Sequence, residues 1–93
     1  MDVLGEKQIL GKLSDFSGWN YNDDHIGKEF QLKDFKGALD FVNKVGEQAE
    51  SMDHHPDILI HSWNKVRITL STHSAGGVTE KDIELAGKIE MIG

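Results

Sequence analysis

Apolar residues between Glu6 and Leu13 predict a short first helix, with Ile9, Leu10 and Leu13 on one face and Phe16 extending it. Gly5 and Gly11 lower its intrinsic stability. The period then changes. Trp19-Asn20-Tyr21 begins a strand, Asn22-Asp23-Asp24 is a turn cluster, and Ile26 to Leu32 alternates with Ile26, Lys28, Phe30 and Leu32 on one side. These two segments predict a hairpin.

A helical period returns after Asp34, which suits an N-cap. Phe35, Ala38, Leu39, Val42, Val45, Ala49 and Met52 step by three or four residues, so the longest helix runs from Phe35 to about Met52 with this stripe as its core face. Phe41 falls off the stripe and is expected to be exposed as a subunit or partner contact. Pro56 drives His55 towards extended backbone and closes the helix. Ile58-Leu59-Ile60 starts a third strand and Asn64-Lys65 a turn. The run Val66 to Thr72 alternates, with Val66, Ile68 and Leu70 on one side and Arg67, Thr69, Ser71 and His73 on the other. Ala75-Gly76-Gly77 is a turn. Thr79-Glu80-Lys81-Asp82 has capping-box spacing, and Ile83, Ala86, Ile89 and Ile92 continue as a helical stripe.

The order is therefore α-β-β-α-β-β-α. Hairpins separated by helices predict an α+β fold with helices on one face of an antiparallel sheet. The chain has 93 residues, enough for a single domain spanning 1–93, with a modest core for which oligomerisation is expected. A net charge of −6 with no basic stripe argues against nucleic-acid binding. There is no cysteine, which removes disulfides, thiolate catalysis and thiolate metal sites. No basic-then-apolar leader and no bilayer-length apolar run are evident. Cytoplasmic residence is the expectation, with nuclear entry open to so small a domain.

Three of the five histidines lie in two short segments, Glu50-Ser51-Met52-Asp53-His54-His55-Pro56 and Leu70-Ser71-Thr72-His73-Ser74. An imidazole titrates near neutral pH, with an ordinary pKa of ~6.5, so two of them flanking a small ligand could serve as acid and base. A zinc site is the weaker reading, because adjacent residues in extended chain point to opposite sides. No Gly-x-Ser-x-Gly elbow supports a serine nucleophile. On pattern alone, surface or capping histidines stand level with acid–base chemistry.

Particular segments shift that balance. Gly18-Trp19-Asn20, Phe30-Gln31-Leu32-Lys33-Asp34-Phe35, Gln48-Ala49-Glu50, Asp53-His54-His55-Pro56, Asn64-Lys65-Val66, Ile68-Thr69-Leu70-Ser71-Thr72-His73 and Asp82-Ile83 resemble the pterin-4a-carbinolamine dehydratases. That family is also known as dimerisation cofactors of a homeodomain transcription factor. The resemblance implies a four-stranded antiparallel sheet with three helices packed on one face. It also implies dehydration of 4a-hydroxytetrahydropterin to quinonoid dihydropterin, which recycles tetrahydrobiopterin and needs no metal or other cofactor.

The family's active-site histidines fall on His54, His55 and His73. The resemblance implies proton transfer by His55 and His73, with His54 holding the 4a-hydroxyl. Asp53 and the backbone near Ser71, Thr72 and Ser74 would contact the pterin. Glu50 and Asp82 match acidic positions near the site. Glu50 also reads as a solvated helix-end carboxylate, and Asp82 as a capping residue. Trp19 would flank the pocket or sit in the core.

The segment from Pro56 to Asn64 is one residue longer than in animal members, which suggests a bulge at His61 and a shifted Trp63. His25 and His61 match nothing in the family and read as surface residues. Gly46 and Glu47 are less apolar than a helix-bundle tetramer wants, so the implied homo-oligomer is a dimer, with a tetramer left open. Two other roles fit the resemblance. One is a protein-binding module that stabilises a transcription factor's dimer through Phe41 and the outer side of the long helix. The other is a pterin role, such as molybdopterin metabolism, in an organism without the hydroxylases.

Overall fold

A computed structural model describes residues 2–92. Its elements are α1 (Glu6–Leu13), β1 (Asn20–Asn22), β2 (His25–Gln31), α2 (Phe35–Met52), β3 (Asp57–His61), β4 (Lys65–Leu70) and α3 (Glu80–Ile92). The expected order holds, and the fold is α+β. The antiparallel sheet has strand order β1-β2-β4-β3. β4 lies between β2 and β3 and is the most deeply buried strand: Val66, Ile68 and Leu70 are all fully buried. They meet Phe30, Lys28 and Ile26 of β2 on one side. On the other, Val66 and Ile68 meet Ile60 and Ile58 of β3. This face shares one core with side chains from all three helices. The opposite face, carrying Glu29, Leu59 and Arg67, is exposed. Among the described residues no helix is long and apolar enough to cross a membrane.

The ends of α2 follow from local chemistry. Asp34 Oδ1 accepts from the Gly37 N–H at 2.8 Å, the expected N-cap. Asp53 closes the helix in the left-handed region (φ 49°), its N–H donating to the Ala49 and Glu50 carbonyls.

The face of α2 differs from the expectation. Ala38, Phe41, Val45 and Ala49 are the buried set, while Phe35 and Leu39 are 47% and 42% exposed. Phe41 is thus a core residue and not a surface contact. Its ring centroid lies 4.8 Å from that of Phe30. Two overlapping stripes share this helix. The small side chains of Ala38 and Ala49 let it approach the sheet along the one that includes Phe41. In α1, Leu10 likewise turns outward, at 50% exposure, leaving Ile9 and Leu13 as the buried pair.

Two smaller corrections concern β3 and β4. No bulge occurs at His61, since the pairing runs unbroken from Asp57↔Thr69 to His61↔Lys65. The turn Ser62-Trp63-Asn64 follows the strand, and in it Ser62 and Trp63 both adopt positive φ, 50° and 73°. Lys65 therefore belongs to β4 and not to the turn. His61 lies at the surface, as expected. Its Nε2 lies 2.6 Å from Glu29 on the open face of the sheet.

Candidate active site

Antiparallel pairing places the start of β3 and the end of β4 at the same end of the sheet, because Asp57 faces Thr69. The segments that flank this pair, His54-His55-Pro56 and Leu70 to His73, therefore leave the sheet side by side. The turn between β1 and β2 joins them there, with the Ser71 hydroxyl donating to the Asp24 carbonyl at 2.6 Å.

His54 and His55 diverge, as neighbours in extended chain must. His54 is buried, 8% exposed. Its Nε2 lies 2.5 Å from Asp82 Oδ1. Asp82 is fully buried in the first turn of α3. Its Oδ2 accepts from the Thr72 hydroxyl at 2.8 Å and from the Thr79 N–H at 2.9 Å. The Thr72 and Thr79 hydroxyls are themselves 2.8 Å apart. Asp82 therefore caps α3, as the sequence predicts, and also holds His54. One carboxylate ties the loop after α2 to the loop after β4.

An ionised carboxylate only accepts, and the Thr72 hydroxyl and Thr79 N–H already donate to this one. In the neutral ring, His54 Nε2 then carries the proton and Nδ1 offers a lone pair. Nδ1 has no partner among the described residues. None of their buried side-chain nitrogens lacks one, so that edge of the ring reaches the surface.

His55 points the other way, and its Nε2 lies 2.5 Å from Glu50 Oε1. Both side chains are well exposed, at 58% and 77%. A helix end and the first extended residues after it suffice to make this pair, since Glu50 is one turn before the αL residue Asp53. The loop that follows β4 is closed on itself. Thr72 N–H donates to the Gly77 carbonyl at 2.9 Å, and the Ala75 and Gly76 N–H groups donate to the Thr72 carbonyl. Gly76 has φ 79°, and a Cβ on Gly77 would come within 2.8 Å of Val3 Cγ1. His73 and Ser74 lie exposed in this loop, next to the anchored Thr72.

The remaining expected residues fall as follows. Asp53 is exposed as the helix C-cap, a role its backbone already explains. Ser71 is bonded to the β1–β2 turn. Trp19 sits in the core, edge-on to Phe30 at 6.1 Å, with its Nε1 donating to Glu90 at 3.1 Å. Glu90 also accepts from Lys28 at 2.7 Å. Trp19 is therefore anchored two turns of α3 away from Asp82. Thr79 was legible only as a cap. Its place beside Thr72 and Asp82 needed the folded chain. Among the described residues no group of three or more histidine or carboxylate side chains converges in the manner of a metal site.

A family model described as pterin 4 alpha carbinolamine dehydratase matches residues 2–92. A protein of Picosynechococcus sp. that carries the pterin-4-alpha-carbinolamine dehydratase name is 48% identical over 89 residues, which is 96% of either chain. One from Sulfurisphaera tokodaii with the same name is 48% identical over 92 residues, 99% of this chain and 98% of the relative. The crystal structure of a transcriptional coactivator/pterin dehydratase from Brucella melitensis superposes with TM-score 0.90 at 38% identity, covering 98% of both chains. A pterin dehydratase-like RuBisCO assembly factor of the alpha-carboxysome shares the fold alone. Its TM-score is 0.67 at 18% identity, over 83% of this chain and 90% of that one.

Proposed function

The chain belongs to the pterin 4 alpha carbinolamine dehydratase family, and from that membership we propose that it removes water from a 4a-hydroxytetrahydropterin to give the quinonoid dihydropterin. The elimination is simple in bookkeeping terms. N5 loses its proton to a base, the C4a–O bond breaks as C4a=N5 forms, and the departing hydroxyl takes a proton from an acid and leaves as water.

The observation that carries this reading is the tie between His54, Asp82 and Thr72, next to His73. His54 Nδ1, an acceptor pointing outward, suits a hydrogen bond from the 4a-hydroxyl. His55 and His73 then exchange the two protons from opposite edges of the heterocycle, and Glu50 orients His55. The backbone of the Thr72–Gly77 loop, with Ser71 and Ser74 in or beside it, and the side chain of Asp53 are the pterin contacts of this scheme. The chemistry asks only for an acid and a base, so the scheme uses no cofactor.

The test is direct. Dehydration is followed by decay of the carbinolamine absorbance in a coupled aromatic amino-acid hydroxylase reaction. His55→Ala and His73→Ala are each expected to slow it by about 100-fold or more. Both side chains are exposed, so melting temperatures should stay near the wild-type value. Wild-type turnover in both variants would end the acid–base assignment.

A second reading has its own support. α2 leaves Phe35 and Leu39 exposed one turn apart, a pattern suited to a partner helix. A protein-binding role through this face, such as stabilising a transcription factor dimer, is separable from catalysis. Leu39→Glu should weaken such assembly and leave turnover unchanged.

A further inference from the structure

His73 opens a loop of five residues, His73 to Gly77, between Thr72 and Val78. The outgoing limb is held from inside the protein. The Thr72 hydroxyl donates to Asp82, and the Thr72 N–H donates to the Gly77 carbonyl. His73 itself is exposed, so its place depends on how firmly the loop's backbone is gripped.

The returning limb is held from outside, by the segment that precedes α1. The Leu4 N–H donates to the Val78 carbonyl at 2.8 Å. Leu4 packs on the shared core, and α1 begins two residues later with Ile9 and Leu13 buried, which anchors the segment. Val3 lies directly on Gly77. A Cβ on Gly77 would come to 2.8 Å from Val3 Cγ1 and 3.5 Å from Cγ2. Gly77 does not adopt positive φ, as Gly76 does, so its bare Cα answers to space and not to backbone conformation. Val3 is 49% exposed, so the contact adds little to the core. Its tightness falls on one point, the base of the loop that presents His73.

We infer that Val3 and Leu4 are positioning residues for His73: the segment before α1 braces the Thr72–Gly77 loop from outside and fixes where the imidazole meets the pterin. The inference rests on the dehydratase reading for what His73 does. The Asp82 tie and the brace grip opposite limbs of one loop. The first fixes Thr72, one residue before His73. The second fixes Gly77 and Val78, where the chain returns to α3. With the returning limb released, the loop pivots about Thr72 and carries His73 with it. A displacement of about 1 Å at a reacting group costs up to about 100-fold in rate, so a contact that stabilises the fold weakly still governs turnover.

Gly77→Ala forces brace and loop apart, because its methyl has no room beside Val3 Cγ1. Carbinolamine dehydration, measured well below Tm, is expected to slow by about tenfold or more. Val3→Ala removes both Cγ carbons and leaves Val3 Cβ 3.8 Å from the new methyl, an ordinary contact. The Val3→Ala/Gly77→Ala protein should therefore recover to within about threefold of wild type. In a His73→Ala background, Gly77→Ala should cost less than about threefold, since the group it displaces is gone. A double variant as slow as Gly77→Ala overturns the brace. A full tenfold loss in the absence of the His73 imidazole overturns its action through that residue.

The ¹H–¹⁵N signals of the His73 ring supply a readout that needs no catalysis. They should shift in Gly77→Ala and return in the double variant. Unshifted signals in Gly77→Ala overturn the brace, whatever the turnover. Failure of the wild-type protein to dehydrate the carbinolamine defeats the dehydratase reading, and the ring signals still decide the brace. Where Gly77→Ala does not fold, Val3→Gly carries the test, because it strips the brace at a half-exposed position. It should lower kcat by about fivefold and shift the His73 signals, with Tm near the wild-type value. Wild-type kcat and unmoved signals in that variant overturn the inference.

Discussion

Replacing Asp82 with asparagine asks whether the buried carboxylate sets the state of His54. Asp82 accepts from Thr72 at 2.8 Å and from the Thr79 N–H at 2.9 Å, and its other oxygen lies 2.5 Å from His54 Nε2. In Asp82→Asn the amide oxygen can keep the threonine bonds, which leaves its NH2 facing His54. The ring must then present a bare Nε2, and its proton moves to Nδ1. The outward edge of His54 changes from acceptor to donor and can no longer receive the substrate hydroxyl.

A charge-assisted bond becomes a neutral one, at a cost of about 1–2 kcal/mol. In a domain of this size that lowers Tm by roughly 5–15 °C, so the protein remains folded at room temperature. Turnover should fall by about 100-fold, since an inverted tautomer in a comparable His–Asp pair costs up to about 10⁴-fold. Asp82→Ala is a poorer probe, because it orphans the buried Thr79 N–H at about 1–3 kcal/mol and confuses unfolding with lost chemistry.

Three measurements decide the matter: calorimetric Tm, carbinolamine dehydration, and the ¹⁵N shifts of His54, which distinguish the two tautomers. Wild-type turnover despite a proton moved to Nδ1 would refute the role given to His54. Lost turnover with the proton still on Nε2 would refute the tautomer argument.

Two other outcomes follow from the geometry. Phe41→Ala should cost about 3–5 kcal/mol in urea unfolding and Phe35→Ala less than about 0.5, the reverse of what the sequence stripe implies; equal losses would contradict the observed helix face. The His61 hydrogen bond is the main influence holding the Glu29 carboxyl below its ordinary value of 4.5, with the charges of His61, Arg67 and Lys65 adding to it against a cost of burial. A pKa lowered by folding contributes stability that is present above the unfolded value and disappears as pH falls through the folded one. The Tm difference between wild type and Glu29→Gln should therefore be present just above pH about 4.5 and close as pH falls below it; a gap that widens in acid would reverse the assigned sign.

The candidate site was legible in part. Asp53-His54-His55-Pro56 and Leu70-Ser71-Thr72-His73 stood out because a helix end and a strand end are marked by local chemistry. The Thr79–Asp82 spacing announced a cap for the same reason. The resemblance set Asp82 near the site, but its bond to His54 was out of reach, since nothing local links residues on elements separated by a hairpin. Trp19 carried both a pocket and a core reading, and only its bond to Glu90 and its packing on Phe30 separate them.

Helices, strands and their order were written in the sequence, because period, caps and turn residues act over a few positions. The central place of β4, the face that α2 buries and the direction His54 takes were not. α2 carries two apolar stripes of similar width, and the sheet's position selected the one through Phe41. The sheet's position depends in turn on β4 lying between β2 and β3. Those choices depend on contacts between residues far apart in the chain, whose energies exist only once the surfaces meet.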